Sequence, residues 1–313
     1  MLKIMKTKKY IALIISILVI TPACDKGNPV QIRMAGIPWP GYEPLYIASE
    51  KKFFKGNIRM LEYPSASEVL RAYKNSNLEV AAFTLDEVIF LHSEGYTGKI
   101  VLVLDVSNGS DVLLGQPAIR TARDVKGKKV GVEYTALGAF MLARFLEINH
   151  MKPEDVTIVP IELDSHEKYF LSRQIDAVIT FDPVKTRLLQ KGANIVFDSS
   201  MIPGEIVDVL LVRDDIYEKH PEIVEYIKNG WYKAIDYINK DFPAAATAMY
   251  PRLKLSEAEL KNVFQVLPLG DLEFNKKMLT GKNPQIRGTI DKIYQVMRKN
   301  KIVKNDINID KMY

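Results

Sequence analysis

The 313-residue chain has a single cysteine, Cys24. Everything after it is therefore without disulfides, thiolate metal sites or a cysteine nucleophile. Histidine is almost as scarce. His92, His150, His166 and His220 stand singly, and none falls in a spacing that brings two imidazoles onto one metal. The apolar run Ile11–Ile20 is too short to cross a bilayer, which takes about 20 apolar residues. An excess of one charge is also missing from the body of the chain. There are 43 Lys+Arg against 38 Asp+Glu, but Lys3, Lys6, Lys8 and Lys9 belong to the extreme N-terminus, and without them 39 basic residues face 38 acidic ones. Such a balance leaves no clustered basic face for nucleic acid. Repeats and low-complexity segments are absent, and no Ser/His/Asp order, phosphate loop or pair of catalytic carboxylates stands out.

What the chain does have begins with its leader. A basic start, the short apolar run and the small residues Thr21-Pro22-Ala23 before Cys24 have the form of a secretion signal. The segment looks like a lipobox, with Thr21 where leucine is usual. That likeness makes residues 1–24 a lipoprotein signal peptide and Cys24 the lipidation site. The domain would then be extracytoplasmic, anchored to the membrane through lipid. The plainer alternative is an ordinary signal peptide cleaved nearby, with Cys24 incidental. The remaining ~290 residues are long enough for two lobes held together by burial alone.

Strand and helix signals alternate along those residues, the pattern of an α/β fold with mainly parallel sheets. Val30–Ile37, Ile58–Leu61, Val80–Phe83, Ile100–Val106 and Asp111–Leu114 read as strands. The helices between them start at Pro44 and at two capping boxes, Ser65–Glu68 and Thr84–Glu87. Ser107-Asn108-Gly109-Ser110 is a turn-rich linker. A second α/β unit follows Gly115, with strands at Lys129–Val132, Thr157–Pro160, Ala177–Thr180 and Ile195–Phe197. Val207–Val212 is one more apolar strand, and the rest reads as helical. A helical tail cannot complete a sheet, so it should pack back on the first lobe. The chain would cross between lobes near Gly115 and near Val207, leaving a cleft.

Six segments in order carry a family likeness: Ala35–Ala48 (AGIPWPGYEPLYIA), Glu50–Phe54 (EKKFF), Asp105–Leu114 (DVSNGSDVLL), Asp124–Val132 (DVKGKKVGV), Gln174–Val184 (QIDAVITFDPV) and Pro203–Val212 (PGEIVDVLLV). Over roughly residues 30–300 the chain resembles ABC-transporter substrate-binding proteins of the nitrate/sulfonate/taurine group, which also holds thiamine-pyrimidine binders. The resemblance implies a type II periplasmic-binding-protein fold, with two Rossmann-like lobes closing on a small-molecule solute. Lobe 1 would be 28–115 plus 208–313, and lobe 2 116–207. It implies a monomer without a cofactor that delivers its solute to an ABC permease. A sensory variant docking on a membrane signalling receptor needs the same capture step. Enzymes share the fold, but thiamine-pyrimidine synthases rely on a cysteine-rich motif and chorismate-dehydratase-like enzymes are cytosolic. A non-enzyme is therefore expected.

Ligands of open α/β sheets lie beyond the carboxyl ends of strands. That rule selects Trp39, Gly41, Tyr42 and Glu43 after the first strand, and Thr84 and Asp86 after the third. It adds Ser107, Asn108 and Asp111 at the linker, Tyr134 and Thr135 in the second unit, and Asp182 after Ala177–Thr180. Trp39 and Tyr42 offer flat surfaces for stacking, and helix starts offer free N–H groups. Each has a structural alternative: a tight turn with a packed indole at Trp39-Pro40-Gly41, and helix caps at Thr84, Thr135 and Asp182. Glu43, Asp86, Asp111, Glu133 and Asp182 lie at or beside these edges, and no lysine or arginine does. Simple anions need charge-assisted hydrogen bonds, so an amine-bearing, zwitterionic or heteroaromatic solute is expected over nitrate.

Overall fold

Apolar runs bounded by turn residues become strands, the central ones buried on both faces. In the computed structural model, which describes residues 30–133 and 135–313, the first stretch runs β1 (Gln31–Gly36), α1 (Glu43–Glu50), β2 (Asn57–Glu62), α2 (Ala66–Lys74), β3 (Val80–Thr84), α3 (Leu85–Ser93) and β4 (Gly98–Val106). The second runs β5 (Val112–Gly115), β6 (Lys129–Val132), α4 (Ala136–Ile148), β7 (Thr157–Pro160), α5 (His166–Leu171), β8 (Ala177–Thr180), α6 (Val184–Gln190) and β9 (Asn194–Asp198). Then come β10 (Val207–Arg213) and six helices: α7 (Asp214–Lys219), α8 (Pro221–Lys240), α9 (Phe242–Leu253), α10 (Glu257–Gln265), α11 (Leu272–Leu279) and α12 (Gln285–Lys299). Gln31–Tyr313 forms one compact unit. The leader, Cys24 and Tyr134 lie outside the described residues.

The strands form two five-stranded sheets, ordered β2-β1-β3-β10-β4 and β7-β6-β8-β5-β9. Both are mixed rather than mainly parallel. β10 runs antiparallel to β3 and β4, and β5 runs antiparallel to β8 and β9. In each sheet the antiparallel strand is the one fed by a crossing from the other lobe. The sheet membership of β5 moves the first crossing: the chain changes sheets at residues 107–111, before Val112, and not after Gly115 as its turn signals suggest. Gly115 ends β5 and stays in the second sheet.

The two crossings run side by side and are tied together. Ser107 Oγ lies 2.8 Å from Ser199 Oγ, which also accepts the Gly109 N–H at 2.7 Å. The Ser107 N–H donates to the Ile206 carbonyl and the Ser199 N–H to the Asp111 carbonyl. The C-terminal helices pack on the first lobe, α8 and α9 against α1, α12 against α3 and α11 against β4. Asn275 of α11 accepts the Val103 N–H at 2.7 Å and donates to the Val103 carbonyl at 3.0 Å, fastening the tail to β4. Fully buried Trp231 on α8 donates to the Gly270 carbonyl at 2.8 Å.

Candidate functional site

Three neighbouring strands place polar residues side by side at the cleft edge of the first sheet. Asp208, near the start of β10, pairs in register with Thr84 at the end of β3 and with Asp105 near the end of β4. β10 is antiparallel, so its beginning lies at the same edge as its neighbours' ends. Asp105 and Asp208 thus set two carboxyl groups directly opposite each other. Trp39 donates its indole N–H to Asp105 Oδ2 at 3.1 Å, and Tyr42 donates its hydroxyl to Asp208 Oδ1 at 2.5 Å. A Cβ at Gly41 would collide with the Asp105 carboxylate and the Trp39 indole, so only glycine lets this turn lie on the pair.

The second lobe contributes Asp111 before β5, Glu133 and Thr135 after β6, and Phe181 after β8. Together with Ile37, Trp39, Tyr42, Ala66, Thr84, Glu87 and Asp208 they line a small cavity of about 20 Å³ between the lobes. The Trp39 and Phe181 rings meet across this space edge to face, centroids 5.3 Å apart. Glu133 accepts the Ser67 N–H at 3.0 Å, and Ser67 Oγ donates to Glu162 at 2.5 Å. Second-lobe carboxylates thus cap a first-lobe helix. The expected Ser65–Glu68 capping box does not form, because the Ser65 hydroxyl turns to Ser67 and the helix start is met by Glu133.

The cavity wall is acidic, and burial governs its charge. Burial pushes the Asp105 carboxyl up to about 7, opposed by its hydrogen bonds, and Glu133 up to about 7. Asp111 rises to about 6 for the same reason, and Glu87 is driven well above the usual carboxylate range. Asp208 is also held well above that range, first by burial and then by the Asp105 charge. Two such carboxylates side by side share a proton rather than both ionise. Among the described residues, Glu87 Oε1, Asp111 Oδ2 and both Asp86 oxygens have no hydrogen-bond partner. Among the described residues, no lysine or arginine lines the cavity.

Of the sequence-selected residues, Trp39, Tyr42, Thr84, Asp111 and Thr135 lie on the cavity wall. Gly41 sits beneath it. Asp86 is buried at the start of α3, where burial pushes it up to about 7, but it does not line the cavity. Asp182 accepts the Thr186 N–H at 3.1 Å and hydroxyl at 2.6 Å, and pairs with Lys185 at 3.3 Å, so its carboxylate serves the start of α6. Ser107 ties the two crossings, and Asn108 is an exposed residue beside it. Glu43 faces away from the cleft: its carboxylate, fully buried, is gripped by Arg252 of α9 at 2.7 and 2.9 Å. Its position at the cleft edge is corrected accordingly, because the first turn of α1 rotates it from the strand edge toward α9. Burial raises it to about 7, with Arg252 opposing.

Four wall residues escaped the strand-end rule: Glu87, Phe181, Asp208 and, beneath the wall, Asp105. The signal for two of them is present. A lone aspartate in an apolar run, as in Ile100–Val106 and Val207–Val212, is a buried charge that needs a reason.

Comparison with known proteins places the fold. Residues 25–250 match the model of the NMT1-like family. The taurine-binding periplasmic protein of Escherichia coli (strain K12) is 22% identical over 190 residues, covering 58% of this chain and 59% of that protein. The match thus spans less than two thirds of that relative's length. A protein of Brucella abortus (strain 2308) named as a binding protein is 24% identical over 275 residues, 82% of each chain. Among solved structures, the alkanesulfonate-binding protein of Xanthomonas axonopodis pv. citri bound to MOPS superposes with a TM-score of 0.75 at 15% identity, covering 91% of this chain and 98% of that one. The periplasmic aliphatic sulphonate-binding protein of Escherichia coli gives 0.72 at 17% identity, with coverage of 91% and 98%. The fold is the two-sheet α/β architecture of periplasmic binding proteins.

Proposed function

This chain belongs to the NMT1-like family, and we propose that it is the extracytoplasmic solute-binding protein of an ABC importer. It captures a small organic solute in the interlobe cleft, which closes on binding, and hands it to a permease. The solute is amine-bearing, zwitterionic or heteroaromatic rather than a simple anion. Cys24 anchors the protein to the membrane through lipid, and the protein acts as a monomer without cofactor or catalysis. One observation carries this reading: a cavity between two lobes, walled by Trp39, Tyr42 and Phe181 and ringed by carboxylates. A concave, largely apolar site with a few convergent polar groups is what small-molecule recognition requires. The names of the taurine and sulfonate binders support the role in solute capture.

The test is a thermal-shift screen of the chain from Asp25 onward, against taurine, alkanesulfonates, nitrate, aminopyrimidines and small amines. Stabilisation by a member of this set, confirmed by calorimetry and lost in Trp39→Ala, is the expected result. A well-folded protein that no member stabilises would count against capture of these solutes. The lipid anchor is checked separately, by whether Cys24→Ser releases the protein from membranes.

A further inference from the structure

Most hydrogen-bond donors around the cavity are already committed to the protein's own acceptors, mainly carboxylates. The Trp39 indole N–H goes to Asp105, and the Tyr42 hydroxyl goes to Asp208. The Thr84 N–H is taken by Glu87 Oε2 at 3.1 Å, and the Asp111 N–H by Ser107 Oγ at 3.2 Å. The Ser67 amide in the first turn of α2 donates to Glu133, itself buried. Lys185, whose charge reaches Asp111, is engaged by Asp182 and by the Gly109 carbonyl at 3.0 Å. Acceptors are what remain. Glu87 Oε1 and Asp111 Oδ2 reach the cavity wall from opposite lobes, their residues 2% and 3% exposed, without a partner among the described residues. Thr84 and Thr135 add hydroxyls, which accept as readily as they donate.

We propose, resting on the solute-binding reading, that the ligand is an organic cation bearing N–H donors, such as a primary ammonium, an amidinium or a guanidinium, and that Glu133 is the residue that closes the cleft to anions. Charge and donor count act together. Buried acceptors left without a partner are costly, so a ligand that brings hydrogens to both Glu87 and Asp111 is favoured over one that brings charge alone. An anion meets the reverse situation. Helix N-termini are ready anion sites, yet the Ser67 amide at the start of α2 is filled by the protein's own Glu133, and no lysine or arginine among the described wall residues offers a positive charge in its place. The aromatic wall of Trp39, Tyr42 and Phe181 suits a flat body behind the cationic head and adds cation–π attraction.

The experiment keeps the body constant and changes the head. The chain from Asp25 onward is titrated by calorimetry at pH 7.5 with benzamidine, benzylammonium, benzyltrimethylammonium and benzenesulfonate. Gln31–Tyr313 packs as one unit, so this form keeps the whole site. Benzamidine and benzylammonium are expected to bind at least tenfold tighter than the quaternary cation and the sulfonate. In Glu133→Ala the sulfonate should tighten at least threefold while benzamidine weakens. Glu133→Gln keeps an acceptor for the Ser67 amide and serves if the alanine variant fails to fold; there benzamidine should weaken with little change for the sulfonate. Sulfonate binding as tight as benzamidine would overturn the proposal and leave solute capture standing. Equal binding of the quaternary cation would overturn the donor argument. Failure of all four heads would overturn the proposal, and failure of the wider screen as well would remove solute capture with it.

Discussion

At the scale of single residues, Glu43 shows how far position along a strand can guide a reading. It follows Tyr42 directly, but the chain has by then entered a helix, where each residue turns about 100° from the last. Tyr42 therefore faces the cleft while Glu43 faces α9 and Arg252. The same rotation exchanges Asp86 and Glu87 at the start of α3: Asp86 looks like the cleft residue in sequence, and Glu87 lines the cavity. Removing one partner of a buried ion pair leaves a charge without compensation. Arg252→Ala is accordingly expected to destabilise the fold by about 3–5 kcal/mol in urea unfolding at pH 8. A loss below about 1 kcal/mol, the range of a surface pair, would show that Glu43 is solvated.

Elements were the most legible level, and their edges the least. Strand ends pointed to Trp39, Tyr42, Thr84, Asp111 and Thr135, all of which lie on the wall, because in α/β sheets the cleft lies where strands stop. Asp208 was hidden because it begins its strand. Only the antiparallel direction of β10 brings it to the cleft, and strand direction depends on which lobe the chain has just left. The Ser65–Glu68 box was misleading for a related reason: the cap comes from Glu133, 66 residues away. The Asp105–Asp208 pair makes a prediction at this scale. Asp208→Asn retains an acceptor for the Tyr42 hydroxyl and removes one of two facing charges. It should stabilise the ligand-free protein by about 1 kcal/mol at pH 8, one pKa unit's worth of interaction, and change nothing at pH 4.5. Thermal unfolding at the two pH values tests it, and destabilisation at pH 8 would mean that the pair is needed ionised.

For the whole molecule, the acidic cleft sets the response to pH. Asp86, Asp105 and Glu133 are raised to about 7 and Asp111 to about 6, while burial drives Glu87 and Asp208 well above the usual carboxylate range. Facing them are the Asp182–Lys185 pair beside Asp111 and Glu162 beside Glu133. The folded chain keeps protons that the unfolded chain gives up near pH 4, so this contribution is present in full below that point and is lost as pH rises through 6 to 7. The ligand-free protein should therefore melt at a higher temperature at pH 5 than at pH 8. A bound cation replaces those protons, so stabilisation by benzamidine should grow over the same interval. A melting temperature that rises from pH 5 to pH 8 without ligand would contradict the buried acidic cleft.

The two crossings, tied through Ser107 and Ser199, join the lobes on one side and leave the other side free of chain crossings. The Ser67–Glu133 and Trp39–Phe181 contacts span the free side. Capture requires that a solute be held between those contacts. The most direct measurement is a crystal structure of the chain from Asp25 onward, grown with the tightest compound of the head-group series. The account predicts the ring packed against the Trp39–Phe181 pair, and the head within hydrogen-bond distance of Glu87 and Asp111. A ligand seated outside the interlobe cavity, or one whose head turns away from both carboxylates, would contradict it.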